Sequence, residues 1–174
     1  MRITGGTLAR RVIPTNFSKH VRPTTDRVRE SLLNLIAHNY PFAFGEVLDL
    51  YAGSGIVSLE CLSRESQVTS VDMDFKNTKA LKAIQNDWKI ENWIIQKQKV
   101  AGFLKSSEKT FDFIFADPPY DAPNVNDLPK YCLPKLNTPG ILVVEHQPNI
   151  KFEIEPDVIK EYGSTVCSIF VKSE

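Results

Sequence analysis

After Gly45 the chain alternates short apolar runs with helix-like stretches, and no other feature limits its fold as strongly. Val47 to Leu50, Val68 to Val71, Ile94 to Gln96, Phe111 to Phe115 and Ile141 to Val144 are rich in Val, Ile and Phe. Several are apolar at almost every position, as strands covered on both faces are. Between them lie Ile56 to Leu62, Thr78 to Ile84 with apolar positions at 81 and 84, and Leu128 to Leu136, where prolines interrupt a helical pattern. Strands joined by helical crossovers lie parallel, so the expectation is an α/β fold: an open, mainly parallel sheet with helices on both faces. Ser164 to Val171 reads as a further strand, antiparallel to the rest, after a polar segment from Asp157 to Tyr162.

A length of 174 residues, 42% of them hydrophobic, suits one sizeable core, hence one domain over 1–174. Residues 1–44 form its basic N-terminal extension and helix, and 45–174 its core. Gly5-Gly6 and Pro14 punctuate short strands and loops over 1–23, and Arg22-Pro23 forces an extended entry into a helix. That helix is capped by Thr24 or Thr25, carries one apolar stripe at Val28, Leu32, Leu35 and Ile36, and ends at Asn39-Tyr40-Pro41. Tyr40, Phe42 and Phe44 are expected to pack as a satellite of the core.

The net charge is zero, but residues 1–30 hold seven basic groups against two acidic ones, +5, which leaves −5 on the remainder. A basic arm on a mildly acidic body suits a polyanion such as nucleic acid, and suits equally a merely solvated basic face. No apolar run approaches the roughly 20 residues of a membrane span, and Met1-Arg-Ile-Thr-Gly-Gly lacks the apolar centre of a signal peptide. Cys61, Cys132 and Cys167 are widely spaced and odd in number, which argues against a disulfide framework and a zinc site. The expected setting is the reducing cytoplasm. His20, His38 and His146 are too scattered to hold a metal.

In an open α/β sheet, ligands bind beyond the carboxyl ends of the strands where strand order reverses. Three such positions are distinctive. Asp49-Leu-Tyr-Ala52-Gly53-Ser54-Gly55 follows the first core strand, with glycines that let the backbone turn sharply beside a ligand and an acid at the strand end. The dinucleotide fingerprint G-x-G-x-x-G is incomplete because Ser58 stands in its last place, and an acid where pyrophosphate would sit argues against a dinucleotide. The second strand ends Val71-Asp72-Met73-Asp74, at the distance from the glycines where a ribose-binding acid is expected. Asp72 is the candidate ribose acceptor, Met73 offers an apolar surface to an adenine ring, and Asp74 suits the cap of the next helix. The fourth strand runs into Asp117-Pro118-Pro119-Tyr120, where two prolines remove backbone donors and leave carbonyl acceptors beside a carboxylate and a ring. Acceptors with a π-face suit the exocyclic amine of a planar base.

Together these residues resemble the S-adenosylmethionine-dependent methyltransferases of the Rossmann-like class, with D-x-x-A-G-S-G at the cofactor and [DN]-P-P-[YF] marking amino-group methylation. Ile3-Thr-Gly-Gly6 with Arg11, and Arg22-Pro-Thr-Thr-Asp-Arg27-Val-Arg29-Glu30, are similar to the RsmD-like bacterial 16S rRNA guanine-N2-methyltransferases over essentially the whole chain. Ala9 replaces one Arg of the family's G-G-x-x-R-G-R, leaving Arg10 beside it as the substitute. The segment Gln98 to Leu104 lacks the Asp or Asn that commonly meets the adenine amine, so no residue is assigned to it.

The resemblance implies methylation of a guanine N2 amine in small-subunit rRNA, guanine 966 of 16S rRNA in the family. It also implies S-adenosylmethionine as cofactor, S-adenosylhomocysteine as product, and no metal. Asp117, Pro118 and Tyr120 become the catalytic set; Asp49, Ala52, Gly53, Ser54, Gly55, Asp72, Met73 and Asp117 hold the cofactor. Arg10, Arg11, Arg22, Arg27 and Arg29 meet RNA, free or in an assembling small ribosomal particle. The protein is expected to act as a monomer away from membranes. The rivals are an adenine-N6 or protein-glutamine N5 methyltransferase, which share [DN]-P-P-[YF], and an RNA-binding module without turnover.

Overall fold

The structure is a computed structural model that describes residues 1–14, 17 and 26–173, and of Asp26 and Arg27 the backbone alone. Among the described residues, seven strands form one sheet: β1 (Glu46–Leu50), β2 (Gln67–Asp72), β3 (Trp93–Lys97), β4 (Phe111–Ala116), β5 (Leu136–His146), β6 (Val158–Tyr162) and β7 (Thr165–Lys172), in the order β3-β2-β1-β4-β5-β7-β6. β1 pairs in parallel with both β2 and β4, and β7 runs antiparallel to β5 and to β6. The expected mainly parallel sheet with an antiparallel C-terminal strand is present. One strand was missed: the polar segment 157–162 contains β6, an edge strand whose solvent-facing side needs no apolar residues. The order reverses between β1 and β4, which places the switch point over Leu50 and Ala116.

The period-two alternation of the central strands sorts their side chains to two faces. Val47, Phe113, Phe115, Ile141, Val143 and Ile169 pack with α1 (Asp26–Asn39), α2 (Ile56–Leu62) and α3 (Phe75–Trp88). Leu48, Leu50, Ile114, Ala116, Leu142 and Phe170 pack with α4 (Val100–Ser106) and α5 (Leu128–Cys132). Truncating such a buried Leu to Ala costs about 2–5 kcal/mol, because the lost transfer energy adds to a cavity. Tyr40, Phe42 and Phe44 pack partly buried against the first cluster, as expected. The three cysteines are free and buried. No helix among the described residues is long and apolar enough to cross a membrane.

The helix expected from Thr24 or Thr25 is α1, although those caps lie outside the described residues. Its buried stripe is Arg29, Leu32, Leu33 and Ile36, one position away from the expected stripe through Val28 and Leu35. Five apolar residues over 28–36 span too wide an arc to fix the inward direction. The decision falls to Arg29, whose buried ion pair turns that face towards the body.

Residues 1–13 fold back on themselves through a bridge between Arg2 and Val12, and dock on the end of α2. Ser63 receives them: its carbonyl accepts the Thr7 N–H at 2.7 Å, while its hydroxyl donates to the Gly5 carbonyl and accepts the Leu8 N–H. Gly6 has φ +76°, and a Cβ there would lie 1.8 Å from the Ser63 carbonyl oxygen, so only glycine fits this contact.

Candidate active site

The first loop of the site begins with strain. Tyr51 leaves β1 at φ +60°, a conformation costly for a ring-bearing residue. Ala52 N–H then donates to the Val71 carbonyl at 3.1 Å, and Gly55 N–H to the Ala52 carbonyl at 2.7 Å. Gly55 has φ +68°, and a Cβ would lie 2.5 Å from a Leu81 methyl, so this glycine lets the loop close against α3 before α2 starts. Ser54 is buried, with its hydroxyl 3.5 Å from the Met1 sulfur, so the start of the N-terminal hairpin lies beside the loop.

Asp72 closes the loop from β2. One carboxylate oxygen accepts Gly53 N–H at 2.8 Å and the Asn77 side-chain amide at 3.3 Å; the other accepts Asp74 N–H at 2.7 Å. A carboxylate has about four acceptor positions. Donors among the described residues fill three of those on Asp72. Asp74 caps α3, accepting from Lys76 and Asn77 N–H, as the sequence suggested. Met73 is 64% exposed beside it.

Asp49 is not at the open strand end. It is 2% exposed, inside β1, and accepts both the N–H and the hydroxyl of Ser58. The Ser58 hydroxyl in turn contacts the Ser70 hydroxyl at 2.6 Å, and Trp93 Nε1–H donates to Ser70 at 2.6 Å. Since the indole only donates and Ser58 gives its proton to Asp49, the hydrogen bonds run one way: Trp93 to Ser70 to Ser58 to Asp49. The Ser58 that breaks the dinucleotide fingerprint is therefore the partner of the acid that argued against a dinucleotide. Burial, outweighing the Ser58 bonds and reinforced by the nearby Asp72 charge, pushes the Asp49 carboxyl up to about 7.

Asp117 follows β4 at the switch point, its N–H 3.5 Å from the Leu50 carbonyl. The turn Asp117-Pro118-Pro119-Tyr120 thus lies directly across from the glycine loop, with Tyr120 55% exposed. Ala52, Gly53, Ser54, Gly55, Asp72, Met73 and Asp117 lie on the carboxyl side of β1, β2 and β4, with Asp49 one residue inside the end of β1.

The basic groups divide. Arg10 and Arg11 are exposed on the N-terminal hairpin, Arg11 with its guanidinium 5.0 Å from the centre of the Trp88 ring. Arg22 and the side chain of Arg27 lie outside the described residues. Arg29 departs from expectation: it is 1% exposed, donates to Glu60 at 3.1 Å and to the Arg2 carbonyl at 2.7 Å, and so is no surface contact for RNA. Glu60, wholly buried, also accepts from the backbone and hydroxyl of Thr4 and from Arg64. One carboxylate thereby ties the hairpin, α1 and α2 together. Sequence reasoning missed Glu60 because an acid inside a helical stretch carries no mark of burial.

His146 is 7% exposed at the end of β5. The described residues hold no cluster of His, Cys, Asp or Glu able to bind a metal.

A family model described as conserved hypothetical protein 95 matches residues 1–171. A putative rRNA methyltransferase from Bacillus subtilis, YlbH, is 31% identical over 99% of both chains. Ribosomal RNA small subunit methyltransferase D of Escherichia coli is 36% identical over 69% of this chain, and the match spans 60% of that relative's length. Among solved structures, a putative methyltransferase of Escherichia coli, yhhF, superposes with a TM-score of 0.86 at 26% identity, covering 99% of this chain and 98% of that one. The Thermus thermophilus 16S rRNA N2 G1207 methyltransferase in complex with AdoMet and guanosine shares the fold, with a TM-score of 0.69 at 17% identity over 86% of this chain and 44% of that one. By its family match and its full-length Bacillus relative, this chain belongs to the conserved hypothetical protein 95 family, that of the RsmD-type small-subunit rRNA methyltransferases.

Proposed function

We propose that this chain transfers a methyl group from S-adenosylmethionine to the N2 amine of a guanine in small-subunit rRNA, in the cytoplasm where ribosomes assemble. The observation that carries the reading is the acceptor-rich turn Asp117 to Tyr120 beside the glycine loop at the switch point, where a base and a cofactor can meet. The names of the relatives point to rRNA, and the exposed Arg10 and Arg11 supply cations for its phosphates.

The residues present fit that cofactor. Asp49 is a buried carboxyl poised near neutrality, able to ionise against an ammonium group; Asp72 is a carboxylate able to accept a ribose hydroxyl; Met73 presents an apolar face. When bound, S-adenosylmethionine supplies a methyl group activated by a sulfonium leaving group.

The guanine amine is a poor nucleophile, because its lone pair is delocalised into the ring. Asp117 and the Pro118 carbonyl accept its two N–H groups, favour a pyramidal nitrogen and offset the positive charge that develops there. Tyr120 stacks on the base and fixes its plane. Most of the acceleration then comes from alignment and preorganised acceptors, with no covalent enzyme intermediate. Asp117 need not be a strong base, since the cationic methylated amine loses its proton readily.

The test offers labelled S-adenosylmethionine with small-subunit particles, free rRNA, DNA and protein, followed by digestion and identification of the modified nucleoside. Label in N2-methylguanosine is expected. Label in N6-methyladenosine, or on protein glutamine alone, would overturn the assignment, and no label with any acceptor would favour a binding module.

A further inference from the structure

Beyond Tyr120, on the side away from the glycine loop, an open depression of about 520 Å³ is lined by Tyr120, Gln147, Pro148, Asn149 and Ser164. Three loops meet there: the turn after β4, the turn after β5, and the tip of the β6–β7 hairpin. All lie at the carboxyl edge of the sheet, because β7 starts opposite the end of β5 with Val166 paired to His146. The order β2-β1-β4-β5-β7 sets the glycine loop, the Asp117 turn and this depression in a row along one edge.

The turn after β5 is held rigidly. Gln147 carbonyl accepts Ile150 N–H at 3.1 Å, closing a β-turn with Pro148 at its first central position, where a fixed φ suits the turn. The same carbonyl lies 2.7 Å from His146 Nδ1. A carbonyl only accepts, so Nδ1 carries the proton and Nε2 accepts from the Ser168 hydroxyl at 2.8 Å. The ring stands edge-on to Phe152 at 4.9 Å. Burial lowers the His146 pKa, which favours the neutral ring. This arrangement fixes the backbone from which Gln147 and Asn149 project.

The lining chemistry is two carboxamides, a hydroxyl and a ring, with no formal charge. Such a set suits the edge of a nucleobase better than a phosphate. If the N2 amine of a guanine sits at Asp117 and Pro118, the next groups along its edge are N1–H, a donor, and O6, an acceptor. A carboxamide offers the complement: its oxygen for N1–H and its NH₂ for O6. An adenine with N6 at the same acceptors would present N1, an acceptor, and then a C–H, and could form one such bond at most.

We propose that the depression is the base-reading subsite of the methylation centre, with the Gln147 and Asn149 carboxamides setting the preference for guanine over adenine. The proposal rests on the guanine-N2 reading above. Neither residue need touch the cofactor. His146 is a positioning residue that acts through the Gln147 carbonyl.

The test compares the wild type with Gln147→Ala, Asn149→Ala and the double variant, on the acceptor that the wild type methylates. Both side chains are exposed or half-exposed, and neither substitution removes a backbone bond of the turn. The double variant should lose about 10- to 100-fold in kcat/KM, the worth of one good bidentate base contact, carried mainly by KM. Its S-adenosylmethionine affinity and thermal midpoint should stay at wild-type values. Gln147→Glu, which keeps the size but removes the NH₂ donor, should fall with the alanine variant of the same position, whereas Gln147→Asn should recover part of the loss.

Two failures are distinguishable. Wild-type label in N6-methyladenosine or on protein sinks the guanine reading itself. Wild-type label in N2-methylguanosine, with a double variant within twofold of normal kcat/KM, leaves the function standing and overturns the subsite.

Discussion

The glycine loop and the N-terminal hairpin are built on opposite terms. Beside the glycine loop the charges are inside: Asp49 is 2% exposed and Asp72 8%, each held by several donors of the protein. On the N-terminal hairpin Arg10 and Arg11 are exposed, and the buried charges beneath it, Arg29 and Glu60, face each other. The contrast separates two uses of a charged group. A buried one organises the chain around it and meets a ligand only by changing its own state; an exposed one leaves the fold alone and acts through whatever approaches it.

The largest effect should come from breaking the buried pair beneath the hairpin. Glu60→Ala removes a buried carboxylate that Arg29 pairs with, and releases Thr4 and Arg64 as well. Losing one partner of a buried ion pair costs about 3–5 kcal/mol, so denaturant unfolding should show a correspondingly lower midpoint. An unchanged midpoint would mean that the hairpin and α1 are held by apolar packing alone, and that burial of charge does not mark an organising role here.

Asp117 stands across from the glycine loop, and its effect should be nearly as large but of another kind. Asp117→Ala should slow single-turnover methylation by about 100-fold or more, with cofactor affinity within a few-fold, because an acceptor aimed at developing charge matters most in the transition state. A normal single-turnover rate in the folded variant would reassign Asp117 to the loop's architecture.

The glycine-loop side can be tested through pH. The Asp49 carboxyl is raised to about 7 from an ordinary 3.8, so between those values the folded protein holds a proton that the unfolded chain has lost. Its contribution to stability is therefore greatest at low pH and declines as pH rises towards 7. An ammonium ligand favours the ionised form, so cofactor affinity should run the other way: about a tenfold gain per pH unit from 5 towards 7, then a plateau. Calorimetry across that range should show the slope in the wild type and none in Asp49→Asn. A slope that survives the substitution would assign the proton to another group.

How much of this could be read beforehand follows the same division. The sheet was legible because apolar strand patterns and glycine turns are local. Asp72, Asp74 and the Asp117 turn were legible because strand ends announce themselves in sequence. The network from Trp93 to Asp49 was not, since its four members are joined only by pairing of β1, β2 and β3 and by the approach of α2. Arg29 was misplaced for a related reason: next to Arg27 in a basic run, nothing local distinguishes an arginine that meets Glu60, 31 residues away, from one that meets solvent. β6 escaped because an edge strand has one wet face and a short length, and its polar residues imitate a loop.

The smallest effect tests the exposed charges. Arg10 sits at φ +70° in the hairpin turn, and Arg11 packs its guanidinium over Trp88; both are exposed to solvent. If they neutralise RNA phosphates, each lost contact should flatten the slope of log affinity against log salt by about 0.7 to 0.9, because one fewer counterion is released on binding. Arg10→Ala with Arg11→Ala should therefore cost most affinity at low salt and little at high salt, with unfolding midpoint unchanged. Arg29→Ala supplies the contrast: as part of the buried pair it should lower the unfolding midpoint, and a folded fraction of that variant should keep the wild-type salt slope. Filter binding over a salt series decides between them. Parallel lines for wild type and the Arg10/Arg11 variant would make this part of the basic arm a solvated face, whereas a slope change in Arg29→Ala equal to that of a surface arginine would break the division between organising and contacting charges.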